Sequence, residues 1–183
     1  MSLAAGFPVI AIPGPSPLPD RVARAANRAS PDIYGDELAV LNLQVMAQLK
    51  RLAGTSAHVA PYIGNGHAVW EAATANLFNP GDRALVLTSG HFGQSWAQSM
   101  AAMGVAVEIL DFGLQPVDPE ALAERLAADP EGSIRAVMLC QIDTASTAMA
   151  DIPAIRAAMG DHPALLVVYA IASLGCALRA TPR

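Results

Sequence analysis

The sequence contains ten arginines but a single lysine, Lys50, and no run of basic residues. A protein that binds the phosphate backbone of a nucleic acid needs clustered positive charge, whereas the formal net charge here is −5. We therefore expect no nucleic-acid partner. Charged residues make up only 15% of the chain and apolar residues 53%, so a sizeable core is available and general disorder is excluded.

Long apolar segments and cysteine pairs are scarce as well. The apolar stretch at residues 163–178 is shorter than the roughly 20 residues that a membrane-spanning helix needs, and Ser173 and Gly175 interrupt it. The N-terminus lacks the basic start and apolar core of a signal peptide. The two cysteines, Cys140 and Cys176, suit a reducing compartment. These absences predict a cytoplasmic protein with no membrane partner.

The composition changes along the chain and predicts four segments. They are an extended N-terminal arm at residues 1–18, a helical segment at 19–55, an α/β domain at 56–177 and an irregular tail at 178–183. The arm is rich in proline and glycine, which leave few helical options. In the second segment, helical spacing of apolar residues predicts helices over 20–29 and 36–52, and Gly54 is a good C-terminal cap.

From Ser56 onward, strand and helix patterns alternate. Strands are predicted at 58–63, 84–87, 105–110, 134–140 and 164–168, and helices at 67–78, 91–103, from 118 onward, and at 151–159. The strands read as continuous apolar runs, which is typical of a parallel sheet covered on both faces. The predicted fold class is α/β, with three αβα layers and a mostly parallel sheet.

Ligands in open parallel sheets bind beyond the carboxyl ends of the strands. The turn Gly64–His67 follows the first predicted strand and begins a helix. Its glycines allow close approach to the backbone, and the first free N–H groups of the helix form an anion site. The structural alternative is a tight turn with Asn65 as the N-cap.

Three further predicted strand ends carry polar or aromatic residues. Phe92, between two glycines, can stack on a flat ring or anchor the following helix. Thr144 lies in a hydroxyl-rich loop, Gln141–Thr147, which offers donors to a ligand or caps its own backbone. Tyr169 ends the last strand, where packing is the commoner role. Taken together, these ends predict one small-molecule site for a phosphate-bearing aromatic ligand.

The order of these motifs resembles the class V aminotransferases, and within them the alanine–glyoxylate and serine–glyoxylate branch. The motifs that carry the resemblance are 64–73, 79–82, 90–94 and 169–175, together with the proline-rich stretch 13–19. The resemblance covers residues 8–177 and corresponds to the first half of a typical member of the family.

The resemblance implies a fold-type-I enzyme that uses pyridoxal 5′-phosphate and forms a homodimer. Such an enzyme passes an amino group from an amino acid to an oxo acid such as glyoxylate or pyruvate. The resemblance assigns the cofactor phosphate to Asn65, Gly66 and His67. It assigns stacking on the pyridine ring to Phe92 and a contact with that ring to Thr144.

Three positions depart from the family pattern. Tyr169 stands at the cofactor-binding position where the family has a carboxylate that pairs with the pyridine nitrogen. A phenol with an ordinary pKa near 10 is neutral and supplies no such counter-charge. Gln141 stands where the family usually has histidine, and Thr147 where it usually has glycine.

The lysine that forms the Schiff base in the family lies downstream of Ser173–Gly175, after the last residue of this sequence. Lys50, beside Arg51 on an early helix, is not expected to replace it. We therefore assign no catalytic residue and no metal ligand, and expect the chain alone to be inactive. Two hypotheses stay open: a part of an aminotransferase, or a non-catalytic half-domain that binds a phosphorylated ligand or a partner chain. A dinucleotide-binding domain is disfavoured because residues 64–66 lack the third glycine and the acidic partner of that fingerprint.

Overall fold

The computed structural model describes residue 12 and residues 14–177. Most of the predicted arm at residues 1–18 and all of the tail at 178–183 lie outside the described residues. The chain divides into two compact units, the first ending at Val59 and the second beginning at Ala60. The finer boundaries expected from composition stay predictions.

The first unit contains two helices, α1 (Asp20–Ala26) and α2 (Asp36–Ala53). Both were predicted, and Gly54 ends α2 in the left-handed conformation with φ +63°. Neither helix has a buried residue. Within the described residues, no helix is both long enough and apolar enough to cross a membrane.

The second unit contains four helices and four strands in its described part. In chain order they are α3 (Gly66–Leu77), β1 (Arg83–Thr88), α4 (His91–Ala102), β2 (Ala106–Asp111), α5 (Pro119–Ala127), β3 (Ile134–Cys140), α6 (Ile152–Ala158) and β4 (Leu165–Tyr169). The strands form one parallel sheet in the order β2-β1-β3-β4. The predicted class of fold, α/β with a parallel sheet, is confirmed.

Two separate cores flank the sheet, because alternate side chains of β1 and β3 point to opposite faces. Helices α3 and α4 cover one face, where Trp70 and Trp96 are buried. Helices α5 and α6 cover the other face, where Leu122 and Ile155 are fully buried. Burial of each such side chain contributes about 1.5–3 kcal/mol relative to exposure. The three layers αβα thus follow from the apolar strands of the sequence.

Residues 58–63 do not form the predicted strand and have no regular structure. Pro61 cannot donate to a strand ladder, and Ile63 is fully exposed. Central strand β1 already pairs with β2 and β3 on its two edges. The prediction was wrong: a short apolar run does not by itself make a strand, and this run pairs with no strand of the described sheet. The turn Gly64–His67 therefore follows an irregular segment.

The strand order places a ligand crevice between β1 and β3. From β1 the chain passes through α4 to β2, whereas from β3 it passes through α6 to β4, on the other side of the sheet. Where two neighbouring strands connect outward in opposite directions, the loops at their carboxyl ends separate and leave room for a ligand.

Candidate functional site

The start of α3 has the form expected of an anion site. Asn65 is the N-cap, and its Oδ1 accepts the amide of Ala68 at 3.1 Å. The amides of Gly66 and His67 have no acceptor among the described residues. These two N–H groups lie at the positive end of the helix dipole, so they are free to donate to an oxyanion.

Gly66 is in close contact with the last residue of β4. A methyl group built on Gly66 would lie 2.0 Å from the Tyr169 Oη and 3.4 Å from a methyl carbon of Ile171. Only glycine allows this approach, because any Cβ would overlap the phenol. The contact joins the start of α3 to the carboxyl end of the sheet.

Tyr169 belongs to a cluster of three aromatic side chains. Its ring lies 5.2 Å from Trp70 and 6.0 Å from Trp96, and the two indoles stack at 5.9 Å. Both tryptophans are almost fully buried, and neither indole N–H has a hydrogen-bond partner within the described part of the chain. Burial, and to a smaller extent the neighbouring Cys140, raise the pKa of the Tyr169 phenol, which is therefore neutral.

The start of α4 is held by a carboxylate from the loop after β3. Asp143 is fully buried, and its Oδ2 accepts the amide of Gly93 at 3.0 Å while its Oδ1 accepts that of Ala145 at 3.1 Å. A Cβ on Gly90 would lie 2.5 Å from the Asp143 Cγ. Sequence reasoning did not single out Asp143. The available signal was an acid within a hydroxyl-rich loop, opposite a helix whose N-cap is glycine.

The structure brings Phe92 and Thr144 to the same place. Phe92 precedes Gly93 and Thr144 follows Asp143 in the chain, and a hydrogen bond joins Gly93 to Asp143. Both side chains, of Phe92 and of Thr144, are half-buried. The Thr144 hydroxyl has no hydrogen-bond partner among residues 14–177. Phe92 packs on the same apolar cluster as Tyr169. Both predicted contact residues therefore lie in the crevice between β1 and β3.

The structure shows the surroundings of Gln141 and the backbone conformation of Thr147, the two other positions that depart from the family pattern. Gln141 accepts the Ser173 hydroxyl through its side-chain Oε1 at 2.6 Å, and its backbone N–H donates to the Tyr169 carbonyl at 3.0 Å. Thr147 adopts the left-handed conformation with φ +63°. Glycine accepts that conformation without strain, which explains its preference at such a position.

Pyridoxal 5′-phosphate fits the candidate site at the start of α3, where its phosphate would bind, but not at Tyr169, where its ring nitrogen would lie. The free amides of Gly66 and His67 suit a phosphate. At the ring end, the neutral phenol of Tyr169 cannot balance a protonated ring nitrogen. We therefore derive no catalytic step through the cofactor.

No family model matches the chain. The chain is 33% identical over 170 residues to a protein of Anabaena cylindrica named soluble hydrogenase 42 kDa subunit, covering 91% of this chain and 44% of that protein. It is 32% identical over 169 residues to the serine–glyoxylate aminotransferase of Methylorubrum extorquens, covering 90% and 42%. The crystal structure of pyridoxamine–pyruvate aminotransferase from Mesorhizobium loti superposes with a TM-score of 0.84 at 26% identity, covering 96% and 44%.

The fold is thus that of the large domain of pyridoxal-phosphate-dependent aminotransferases. The chain belongs to the class V aminotransferase family, in its serine/alanine–glyoxylate aminotransferase-like group. It spans less than half the length of the relatives that it matches.

Proposed function

We propose that this chain binds a phosphorylated ligand through the start of α3. The observation that supports this proposal is the pair of unpartnered amides of Gly66 and His67, at the first turn of a 12-residue helix. Asn65 contributes by fixing the geometry of that turn, since its side chain caps Ala68. His67 is exposed, with its ring 4.5 Å from Trp70, so its imidazole is available to an anion.

A finer proposal concerns the whole protein. Relatives named serine–glyoxylate aminotransferase and pyridoxamine–pyruvate transaminase support pyridoxal 5′-phosphate as the ligand and amino transfer to an oxo acid of the glyoxylate or pyruvate type as the reaction. Phe92 would then stack on the cofactor ring and Thr144 would contact it. We also propose a homodimer, consistent with the exposed apolar side chains of α2, and a cytoplasmic location, consistent with two free cysteines.

A second candidate function is ligand binding without turnover. Tyr169 favours it, because a neutral phenol stands at the position where amino transfer needs a counter-charge. Reductive labelling with pyridoxal phosphate and borohydride tests whether Lys50, the sole lysine of this sequence, belongs to the site. We expect labelling of Lys50 no greater than that of an exposed lysine in a control protein. Stoichiometric, specific labelling of Lys50 would contradict the placement of the site at the strand ends.

Phosphate binding itself is tested by NMR titration of the chain with inorganic phosphate. We expect shifts at the amides of Gly66, His67 and Ala68, with a Kd on the order of millimolar. The start of α5 is an internal control, because Asp118 already caps it and Glu120 adds negative charge.

A matched pair of variants isolates one backbone donor. His67→Pro removes the amide N–H at the second helical position, a position where α6 already carries Pro153. His67→Ala removes only the imidazole. We expect about tenfold weaker phosphate binding for His67→Pro than for His67→Ala, because hydrogen bonds to charged groups contribute about 1.5–3 kcal/mol. Equal binding by both variants, or no shift at Gly66 in the folded chain, would contradict the proposal.

A further inference from the structure

Helix α2 carries an apolar stripe that the described structure leaves largely uncovered. Its members recur at helical spacing on one face of the helix, and they are Leu38, Leu41, Val45, Leu49 and Leu52. None of them is buried, and the exposed fractions of Leu41, Val45 and Leu52 are 39, 41 and 44%. A groove of about 550 Å³ lies beside the stripe and is extended by the exposed side chains of Ile33 and Tyr34. A contiguous apolar patch of this kind marks an interaction surface.

The spacing of the stripe is the same when it is read from either end of the helix. Successive members are three, four, four and three residues apart, so Val45 is the centre of a palindrome. When two copies of α2 lie antiparallel across a two-fold axis at this centre, Val45 faces the partner's Val45. Leu41 then faces the partner's Leu49. Leu38 faces the partner's Leu52. The stripe is therefore complementary to itself, as the interface of a closed symmetric dimer must be.

The charges of α2 favour the same arrangement. Asp36 and Glu37 lie in the first turn, and Lys50 and Arg51 lie in the last turn. Glu37 makes an ion pair with Arg28 at 3.5 Å, but its side chain is still 85% exposed and can face a second chain. In an antiparallel pair, the acidic end of each helix lies beside the basic end of the other, and the two helix dipoles are opposed. A parallel pair would instead bring like charges together.

We propose that two copies of this chain associate through α2, packed antiparallel across a two-fold axis at Val45. The groove at the N-terminal half of one α2 then receives the leucines at the C-terminal half of the other. The inference rests on the homodimer of the proposed function and gives that dimer its contact surface. It does not depend on the proposed phosphate site, which belongs to α3 in the other compact unit.

Sedimentation of the full chain over a concentration series tests the contact. Val45→Asp places two carboxylates against each other on the two-fold axis, and we expect the dissociation constant of the dimer to rise at least about tenfold. Leu43→Asp is the matched control, because Leu43 is 73% exposed and lies two residues from Val45, on the opposite side of the helix. It introduces the same charge, and we expect it to change the dissociation constant less than about threefold.

Disulfide cross-linking tests the direction of the helices. The background is Cys176→Ser, since Cys176 is exposed and the other cysteine, Cys140, is buried. A disulfide needs Cα atoms within about 7 Å of each other. On mild oxidation we therefore expect Val45→Cys to form covalent dimers and Leu43→Cys to form none. Chains with Leu38→Cys and chains with Leu52→Cys should link to each other when mixed, whereas neither should link to itself.

The failure of this inference and the failure of the proposed homodimer give different results. If the chain dimerises but Val45→Asp weakens the dimer no more than Leu43→Asp, the homodimer stands and α2 is not its contact. If Leu38→Cys links to itself and not to Leu52→Cys, the helices run parallel and the inference is overturned. If the wild type is monomeric at every concentration, the inference and the homodimer both fall. Protection of the Val45→Cys thiol in such a monomer would show that a segment of the same chain covers the stripe.

Discussion

The Asp143 carboxylate accepts the amide of Gly93, 50 residues earlier in the chain, at 3.0 Å and thereby caps helix α4. Helix α4 needs this acceptor because its own N-cap, Gly90, has no side chain. The bond crosses the crevice between β1 and β3 and fixes the loop that carries Thr144 against the helix turn that carries Phe92. One buried carboxylate thus sets the shape of the candidate site.

Removing this carboxylate should destabilise the fold strongly. Asp143→Ala leaves the buried amide of Gly93 without its acceptor, which costs about 1–3 kcal/mol, and it also removes the part-buried bond from the amide of Ala145. We expect a loss of about 2–4 kcal/mol in the free energy of unfolding by urea denaturation. Asp151→Ala removes an exposed cap of the ordinary kind at α6 and should cost only about 1 kcal/mol. If the two variants lose the same free energy of unfolding, the Asp143 carboxylate contributes no more than an ordinary exposed N-cap.

Thr147→Gly should stabilise the protein. Thr147 holds a β-branched side chain at φ +63° on an exposed loop, a conformation that costs about 1–2 kcal/mol for residues with a Cβ. Glycine relieves this strain and loses about 0.5–1 kcal/mol in chain entropy. We expect a net gain of up to about 1 kcal/mol in chemical denaturation. Thr147→Ala keeps a Cβ at the strained φ and should gain less; a larger gain for alanine than for glycine would contradict the strain argument.

Asp129, at the opposite end of the strands, should make stability depend on acid. Hydrogen bonds from the Ser133 hydroxyl at 2.5 Å and the Ile134 amide at 2.8 Å hold the pKa of this carboxyl well below its usual range. The pKa of Asp129 in the folded chain lies below the unfolded value of about 3.9. The ionised carboxylate therefore contributes its full stabilisation above the unfolded pKa, and this contribution is lost as the pH falls towards and through the folded pKa.

The variant Asp129→Asn tests this dependence by urea denaturation between pH 7 and pH 3. We expect the variant to be less stable than the wild type at pH 7 and the difference to shrink towards pH 3. Asp161→Asn neutralises an exposed aspartate nearby and should leave the pH profile unchanged. If the difference in the free energy of unfolding between the wild type and Asp129→Asn stays constant over this range, the ionised carboxylate is not the cause of that difference.

The two cysteines should differ in reactivity. Burial, together with the charge of Asp143, raises the pKa of the Cys140 thiol to about 12, whereas Cys176 is exposed. A disulfide reagent at pH 8 should therefore modify one thiol per folded chain and the second only after unfolding. In Cys176→Ser the folded protein should be almost unreactive. Rapid modification of that variant would mean that the end of β3 opens readily.

The elements that sequence patterns predicted are those that depend on neighbours along the chain. Asp118 and Asp151 cap α5 and α6 as N-cap acids, accepting the amides of Glu120 and Ala154 at 2.9 and 3.1 Å. The apolar runs became the four strands of the sheet. The expected strand at 58–63 failed because pairing, and not composition, decides whether a short run is a strand.

The candidate site shows the same limit. Asn65 is an N-cap, as the structural alternative from the sequence predicted, because the cap and the Ala68 amide that donates to it lie within a few residues. The bond from Gly93 to Asp143 and the contact of Gly66 with Tyr169 join distant segments, and no local pattern indicates them. The assignment of Phe92 to a cofactor ring stays a prediction, since no ligand contact tests it.

The strand order also has a consequence for how the protein reaches its native state. Every strand pair in the sheet is parallel, so at least one helix and its two loops lie between paired strands, and between β1 and β3 lie two helices and strand β2. The described sheet contains no β-hairpin from which strand pairing could begin locally. Strand β1 pairs with both β2 and β3. Chains dominated by such distant contacts fold slowly, on the scale of milliseconds to seconds. One edge of the apolar strand β1 therefore stays uncovered until β3, four elements later in the chain, has been synthesised.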